Sequence, residues 1–480
     1  MNFSLTYLEL AVVALALGLL LLELWTPTAL KPKLGYVAAA GLALILGWSF
    51  ADTIPSESAT AFSQMYVRDG LALFFKRFFL MAAILVLIMS VEFSDRIRMG
   101  VGEFYVLILF ALTGMMFASS ANDLIMVFVS LELITISFYV LVSFQRSLMG
   151  SLEAGVKYLI MGALSSAFLI FGIALVFGSA GTTNFDVLLQ VTKGAAHDKV
   201  LWLGLLLVLA GLGFKIAAFP FQMWAPDVYQ GAPTPVTAFL AIGSKAAGIV
   251  LLLRVFLGAA PPVTGQWTKL LMVMAAITIL YGNLCAIPQR NLKRLLGYSS
   301  IANAGYLLLG LSALNASGCS AMLYYLAGYL FTLGAAFTVI CLVARESDDI
   351  SSLAGLSQRS PLLAACLTLA MVSLGGIPPL AGFFGKFLLL KSIIEQGPVN
   401  PGYYCLAGTA LFGVVVSLYY YFGVIRAIYW SKEAPDLTPI TVSVPARLSL
   451  GVCVIGMFYL GLFPQTALLA AQEAVSALKF

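Results

Sequence analysis

Residues 213–235 read GFKIAAFPFQMWAPDVYQGAPTP, closing a long apolar run that spans roughly 200–230. Pro220, Pro226, Pro233 and Pro235 each lack a backbone N–H, and a proline ring collides with the preceding helical turn, so a helix through this stretch must break. The surroundings decide what such a break means. The 480-residue chain is 61% hydrophobic and 10% charged, whereas a soluble domain carries about 25% charged residues. Apolar runs near the ~18–20 residues that cross a bilayer recur from end to end. One is 158–177 and another 318–343. They are continuous rather than alternating, which selects helices over a β-barrel. The fold class is all-α, a polytopic membrane protein.

Working outward, the chain divides into about fourteen spans of bilayer length. Their bounds are 5–25, 34–51, 71–91, 103–119, 122–145, 154–178, 200–230 (broken), 235–257, 267–287, 295–313, 318–344, 361–394 (broken), 403–429 and 446–471. The first reads as a retained span rather than a cleaved signal, having no basic segment before it. The polar stretch 180–199 reads as the largest loop, too small for a soluble domain. The second broken span contains GGIPPLAGFFGKF (375–387), with Gly376, Pro378, Pro379 and Gly382 at its centre. Broken backbone at membrane depth is tolerated where it is buried in protein or lines a watery cavity. Two such spans at corresponding places mark inverted repeats around an ion path. The breaks fall in spans 7 and 12; five is odd, so the repeats would face opposite sides. This divides the single membrane domain into 1–95, a first repeat at 103–257, a second at 266–429 and a final helix at 446–471.

Charges in hydrocarbon cost about 2.5–3.5 kcal/mol or more each and mark ion or proton paths. Four stand out: Glu132 in NDLIMVFVSLELITISFYVLV (122–142), Lys215 just before the first break, Lys245 in TAFLAIGSKAAGIVLLL (237–253), and Lys386 just after the second break. Lys215 and Lys386 on opposite sides of their breaks suggest half-paths opening to different faces, with Lys245 as relay. Burial disfavours an ammonium and a nearby carboxylate favours it, so a lysine with a movable carboxylate partner suits proton transfer. Three lysines against one carboxylate also leave cations that a static ion pair does not explain. Lys157 in SLEAGVKYLIMGALSSAF (151–168) would pair with Glu132 or snorkel to the interface. Asp227 would cap the second half of its broken span, and Tyr298, Ser299 and Ser300 offer hydroxyls for a water chain or for interhelical bonding. Lys76, Arg77, Arg254 and Lys391 read as interfacial anchors, whereas Glu9 and Glu23 have no evident role.

Other classes are poorly served. The net charge of +5 is scattered over short loops, without the basic clusters and interleaved aromatics of a nucleic-acid surface. Cys285, Cys319, Cys341, Cys366, Cys405 and Cys453 sit singly, without metal-ligand spacing, and the single histidine, His197, lies in a polar loop. No metal or redox cofactor is expected in the chain. Lysine and arginine gather in alternate loops: Lys31 and Lys33; Arg96 and Arg98; Arg146; Arg290, Lys293 and Arg294; Arg345 and Arg359; Arg426, Lys432 and Arg447. The loops around Asn122, Pro261 and Asn315 are nearly free of them, which places both termini on the outer side.

The stretch PFQMWAPDVYQGAPTPVTAFLAIGSKAAG (220–248), with NLKRLLGYSSIANAGYLLLG (291–310) and GGIPPLAGFFGKF, resembles the antiporter-like membrane subunits of respiratory complex I. Subunits of Mrp-type cation/proton antiporters belong to the same superfamily. The resemblance covers nearly the whole chain, and within it 164–178 and 226–239 most resemble the subunit N branch. It implies fourteen core helices with inverted five-helix repeats over helices 4–8 and 9–13. It also implies Glu132, Lys215, Lys245 and Lys386 as the proton-handling set, with Lys157 as a further family lysine. Gln222 and Asn303 stand where the family often has histidine. The implied function is proton translocation as a subunit of NADH:quinone oxidoreductase, a multi-subunit complex of the cell inner (cytoplasmic) membrane. NADH, FMN, iron–sulfur clusters and quinone would be bound by partner subunits. The alternative is a subunit of an Mrp-type sodium/proton antiporter.

Overall fold

The computed structural model describes residues 3–51, 58–97, 99–194, 198–260, 265–343, 348–430, 437–476 and 478. Arg98, His197, Pro261, Arg345 and Lys432 lie outside the described residues. The chain opens with helices α1 (Tyr7–Trp25), α2 (Leu34–Ala51) and α3 (Gly70–Phe93). A small antiparallel hairpin, β1 (Ala59–Ala61) and β2 (Tyr66–Arg68), precedes α3 and pairs Thr60 with Val67. Then follow α4 (Val101–Ser119), α5 (Leu124–Val142), α6 (Met149–Ala180), α7 (Phe185–Gly194), α8 (Lys199–Ile216) and α9 (Trp224–Gly231). Next come α10 (Thr234–Ala259), α11 (Thr268–Ala286), α12 (Leu292–Ser312), α13 (Ala316–Val343) and α14 (Pro361–Gly375). The chain finishes with α15 (Ala381–Ile394), α16 (Gly402–Trp430), α17 (Val444–Leu462) and α18 (Pro464–Val475).

Among the described residues, twelve helices are long and apolar enough to cross a membrane. The other long elements are α12, whose polar residues lower its hydropathy, and the two halves of a broken span, α14 and α15. The polar stretch 180–199 is not simply a loop, since it folds into α7. The last apolar segment is two helices, because Pro464 cannot continue the hydrogen-bond ladder of α17.

Burial sorts the helices. The apolar window of α10 is wholly buried and that of α13 is 89% buried, whereas those of α1 and α6 are 33% and 28% buried. Helices apolar on all sides belong in the middle, and the outer ones turn Leu21, Ile160 and Val415 outward. Small residues set the contacts, as expected where lipid removes the usual hydrophobic drive between helices. A Cβ on Gly172 of α6 would lie 2.7 Å from the Gly204 carbonyl of α8, and one on Gly282 of α11 would lie 2.4 Å from the Ala302 nitrogen of α12.

Both predicted breaks form, and by the same local motif. Helix α8 ends at Ala217 in the left-handed region (φ 58°), with Ala217 donating to Phe214 and Ala218 to Gly213. Helix α14 ends at Gly376 (φ 80°), with Gly376 donating to Ser373 and Ile377 to Val372. These paired i→i−3 and i→i−5 bonds satisfy carbonyls that would otherwise be orphaned at a helix end. Pro220 and Pro379 each follow their left-handed residue by three positions.

Candidate functional site

Glu132 and Thr135 lie one turn apart on α5. The Glu132 carboxylate accepts from the Ser166 hydroxyl of α6 at 2.5 Å, and the Lys215 ammonium, on the last turn of α8, donates to Thr135 Oγ1 at 3.0 Å. Lys215 is 2% exposed, and no ion pair within 4.0 Å joins it to Glu132. The two side chains are therefore each held by a separate hydroxyl, Ser166 for Glu132 and Thr135 for Lys215, rather than by a closed salt bridge. A Cβ on Gly248 of α10 would lie 3.3 Å from the Lys215 stem, so glycine there lets α10 close over the lysine.

Lys245 follows a π-helical turn, Leu240–Ser244, in the middle of α10. Such turns leave a helix with an irregular ladder and recur at functional positions. Its ammonium donates to both the carbonyl and the hydroxyl of Ser300 on α12, and that hydroxyl also bonds Tyr229 of α9 at 3.1 Å. Helix α12 continues the polar line. Ser299 bonds the Tyr421 hydroxyl at 2.5 Å, and Asn303 donates to Ser299 at 3.4 Å and accepts from Tyr325 at 2.7 Å. One turn further, the Tyr306 ring lies under the Lys386 ammonium, 4.9 Å from its centroid. Lys386 donates to the Leu374 carbonyl at 2.6 Å. A buried row of amines, hydroxyls and amides thus links Lys245 to Lys386 along one helix, capable of passing protons wherever water completes the gaps.

The flanking candidates separate. Lys157 is exposed and reaches Glu153 and Asp227 at 2.7 and 2.8 Å rather than Glu132. Asp227 also pairs with Arg294 at 2.5 Å. These four charges line a cavity of about 740 Å³ at the lysine- and arginine-rich end of the bundle, beside Arg96, Lys293 and Asp348. Asp227 thus serves as the centre of a charge cluster, with no side-chain cap on α9. Tyr298 packs beside Tyr281 and under the Arg294 guanidinium, whereas Ser299 and Ser300 join the row. Gln222 is buried, and its side-chain oxygen finds no partner among the described residues.

The places of Lys215 and Lys386 on opposite sides of their breaks do not make them repeat-related positions. A rotation relating two repeats preserves chain order. Ala217 and Pro220 match Gly376 and Pro379 at one constant spacing of 159 residues. At that spacing Lys215 matches Leu374, and Asp227 matches Lys386.

Lys76 and Arg254 are not interfacial anchors. Lys76 is 2% exposed and pairs with Glu9 at 2.8 Å, with the Tyr66 hydroxyl bonding both, and Arg254 is 5% exposed and pairs with Asp69. Glu23 pairs with Lys31 at 3.1 Å. A cation one to three turns inside a helix end reads as snorkelling unless its tertiary partner is known, which is why the sequence missed them.

The family described as NADH:quinone oxidoreductase/Mrp antiporter, TM matches residues 121–413. The chain is 41% identical over 465 residues to NADH-quinone oxidoreductase subunit N of Moorella thermoacetica, with 96% of each chain covered. A chain of respiratory complex I from Thermus thermophilus superposes with a TM-score of 0.80 at 34% identity, covering 96% of this chain and 98% of that one. A chain of the Mrp complex from Dietzia sp. shares the fold, with a TM-score of 0.85 at 20% identity over 100% of this chain and 98% of the other. The buried, lysine-bearing broken helices thus sit in a chain that belongs to the NADH:quinone oxidoreductase/Mrp antiporter transmembrane family, as a multi-pass membrane subunit of the subunit N kind.

Proposed function

We propose that this chain translocates protons as the subunit N component of an NADH:quinone oxidoreductase. Glu132, Lys215, Lys245 and Lys386 would be its proton-transfer groups. The observation that carries this reading is that the three lysines are buried with neutral partners, each next to disrupted helical backbone, and that a row of hydroxyl and amide side chains lies between two of them. A buried amine without a fixed counter-ion gains or loses a proton when its surroundings shift slightly, and a closed ion pair resists that. Asp227 with Lys157 and Arg294 would govern entry from the 740 Å³ cavity. The broken spans, with Pro220, Pro226, Pro378, Pro379 and Gly382 at their breaks, would belong to two inverted five-helix repeats within fourteen crossings. The termini would lie on the outer side of the cell membrane. NADH, FMN, the iron–sulfur clusters and quinone would be held by partner subunits, and electron transfer there would drive this chain through its membrane neighbours.

The test is to purify the assembly in mild detergent, reconstitute it in vesicles, and measure NADH oxidation together with proton movement. Coupled acidification of the vesicles, reduced by Lys215→Met with the subunits still co-purifying, supports the proposal. An unchanged proton-to-electron ratio in that variant overturns it.

A further inference from the structure

The guanidinium of Arg254 makes four hydrogen bonds at a three-helix junction. It forks onto Asp69 at 2.6 and 2.7 Å, and its Nε and Nη2 donate to the Ser119 carbonyl at 3.1 and 2.8 Å. Asp69 is itself fixed as the cap of α3, accepting from Ala72 N at 2.8 Å. Ser119 ends α4, and the next residue, Ser120, accepts from Val67 of β2 at 2.9 Å, just before α5 begins with Asp123 as its cap. One side chain of α10 is thus tied to the start of α3 and to the turn that launches α5, the helix of Glu132.

We propose that Arg254 is a positioning residue of the proton path, setting the placement of Lys245 relative to the helix of Glu132. The inference rests on the function proposed above. Arginine does not release its proton in a protein, so Arg254 carries none itself. A buried ion pair is seldom retained for stability, since apolar residues of similar volume often serve as well or better. The pair does supply a fixed register. Helix α10 needs one, because π-helical turns at Leu240–Ser244 and Leu253–Ala259 flank the eight residues Lys245–Leu252. Irregular ladders on both sides of Ala246–Leu252, a stretch whose buried side chains are all apolar, leave its rotation and axial position weakly specified. The forked contact with Asp69 is directional, as a lysine's contact would not be. Lys245 lies nine residues away, about 13 Å along the helix, near enough for a shift at Arg254 to move its ammonium off Ser300.

The experiment uses the whole assembly in vesicles, reading electron-transfer rate and protons moved per electron in the same preparation. The variants are Arg254→Gln, Arg254→Lys, and the double replacement Asp69→Leu with Arg254→Met, beside Lys215→Met. Arg254→Gln is expected to lower protons per electron about twofold, the scale of coupling through a packed contact. Its electron-transfer rate per assembled complex should be maintained. Arg254→Lys, which keeps the charge and loses the fork, should fall between. The double replacement should restore the assembled amount without restoring the ratio. A purely structural role would change assembly alone, so a wild-type ratio in the double replacement and in Arg254→Lys overturns the inference, including where Arg254→Gln fails to assemble. If Lys215→Met lowers the ratio while the Arg254 variants do not, only the positioning role falls. If Lys215→Met leaves it unchanged, the proton-path reading falls and this inference with it.

Discussion

The ammonium of Lys386 reaches back across the break in its own span and donates to the carbonyl of Leu374 at 2.6 Å. That carbonyl belongs to the last turn of α14, where no further helical N–H is available. The lysine stem passes 3.2 Å from where a Cβ on Gly376 would sit, so the left-handed glycine serves both the turn and the close approach. Replacing Lys386 by Met removes the proposed proton carrier and leaves a buried acceptor unpaired, at a cost of about 1–3 kcal/mol. Proton translocation should fall by about 10² at this step, the lower end for a lost acid–base group. Vesicle acidification, normalised to assembled complex, checks it.

Glu132→Gln keeps an acceptor for Ser166 and removes the charge. Translocation should drop about tenfold or more, whereas Ser166→Ala, which keeps the charge and removes one hydrogen bond to it, should cost less. Equal effects from the two substitutions would mean that the hydrogen bond, not the charge, matters.

Gly248→Ala places a methyl 2.6 Å from Ile216 Cγ2 and 3.3 Å from the Lys215 stem. Overpacking of this kind costs about 1–3 kcal/mol. Thermal unfolding in detergent should therefore occur at lower temperature, and the Lys215–Thr135 bond should be displaced. A control at Gly178, which has open space around it, should be nearly silent.

Lys76→Met leaves the Glu9 carboxylate buried without its cation, which costs about 3–5 kcal/mol. Glu9→Leu in the same chain should recover most of that loss. Denaturation of the single and double variants tests this. A double variant no more stable than the single would show that the pair is not what holds α1 to α3.

Asp198 caps α8, accepting from Val200 N at 2.9 Å and from Leu201 N at 3.2 Å, and also from the Ser179 hydroxyl. The Ser179 hydroxyl bond and then the backbone amides hold its carboxyl below the usual aspartate range. The capped form is therefore favoured at neutral pH, and its contribution is lost as pH falls through the lowered folded value. The protection of the Val200 and Leu201 amides relative to their intrinsic exchange rates should fall at the acid end of that window, and Asp198→Ala should remove the pH dependence of that protection.

Composition and the continuity of the apolar runs determined that the chain is helical and membrane-embedded, because bilayer hydrocarbon admits only helices or closed barrels and a barrel needs alternating strands. Proline and glycine chemistry fixed where two spans break, and Glu132, Lys215, Lys245 and Lys386 were visible as charges in apolar runs. Their partners were not. Thr135, Ser166, Tyr229, Tyr306, Tyr325 and Tyr421 are ordinary helical residues in sequence, and only packing brings Thr135 to Lys215, Tyr306 to Lys386, Ser166 to Glu132, and the other three hydroxyls to Ser299, Ser300 and Asn303 of α12. Tertiary structure also decided that Lys76 and Arg254 are buried, and that Lys157 faces Asp227 instead of Glu132. A charge near a helix end costs little if it reaches water and much if it does not, and that difference depends on neighbours tens to hundreds of residues away along the chain.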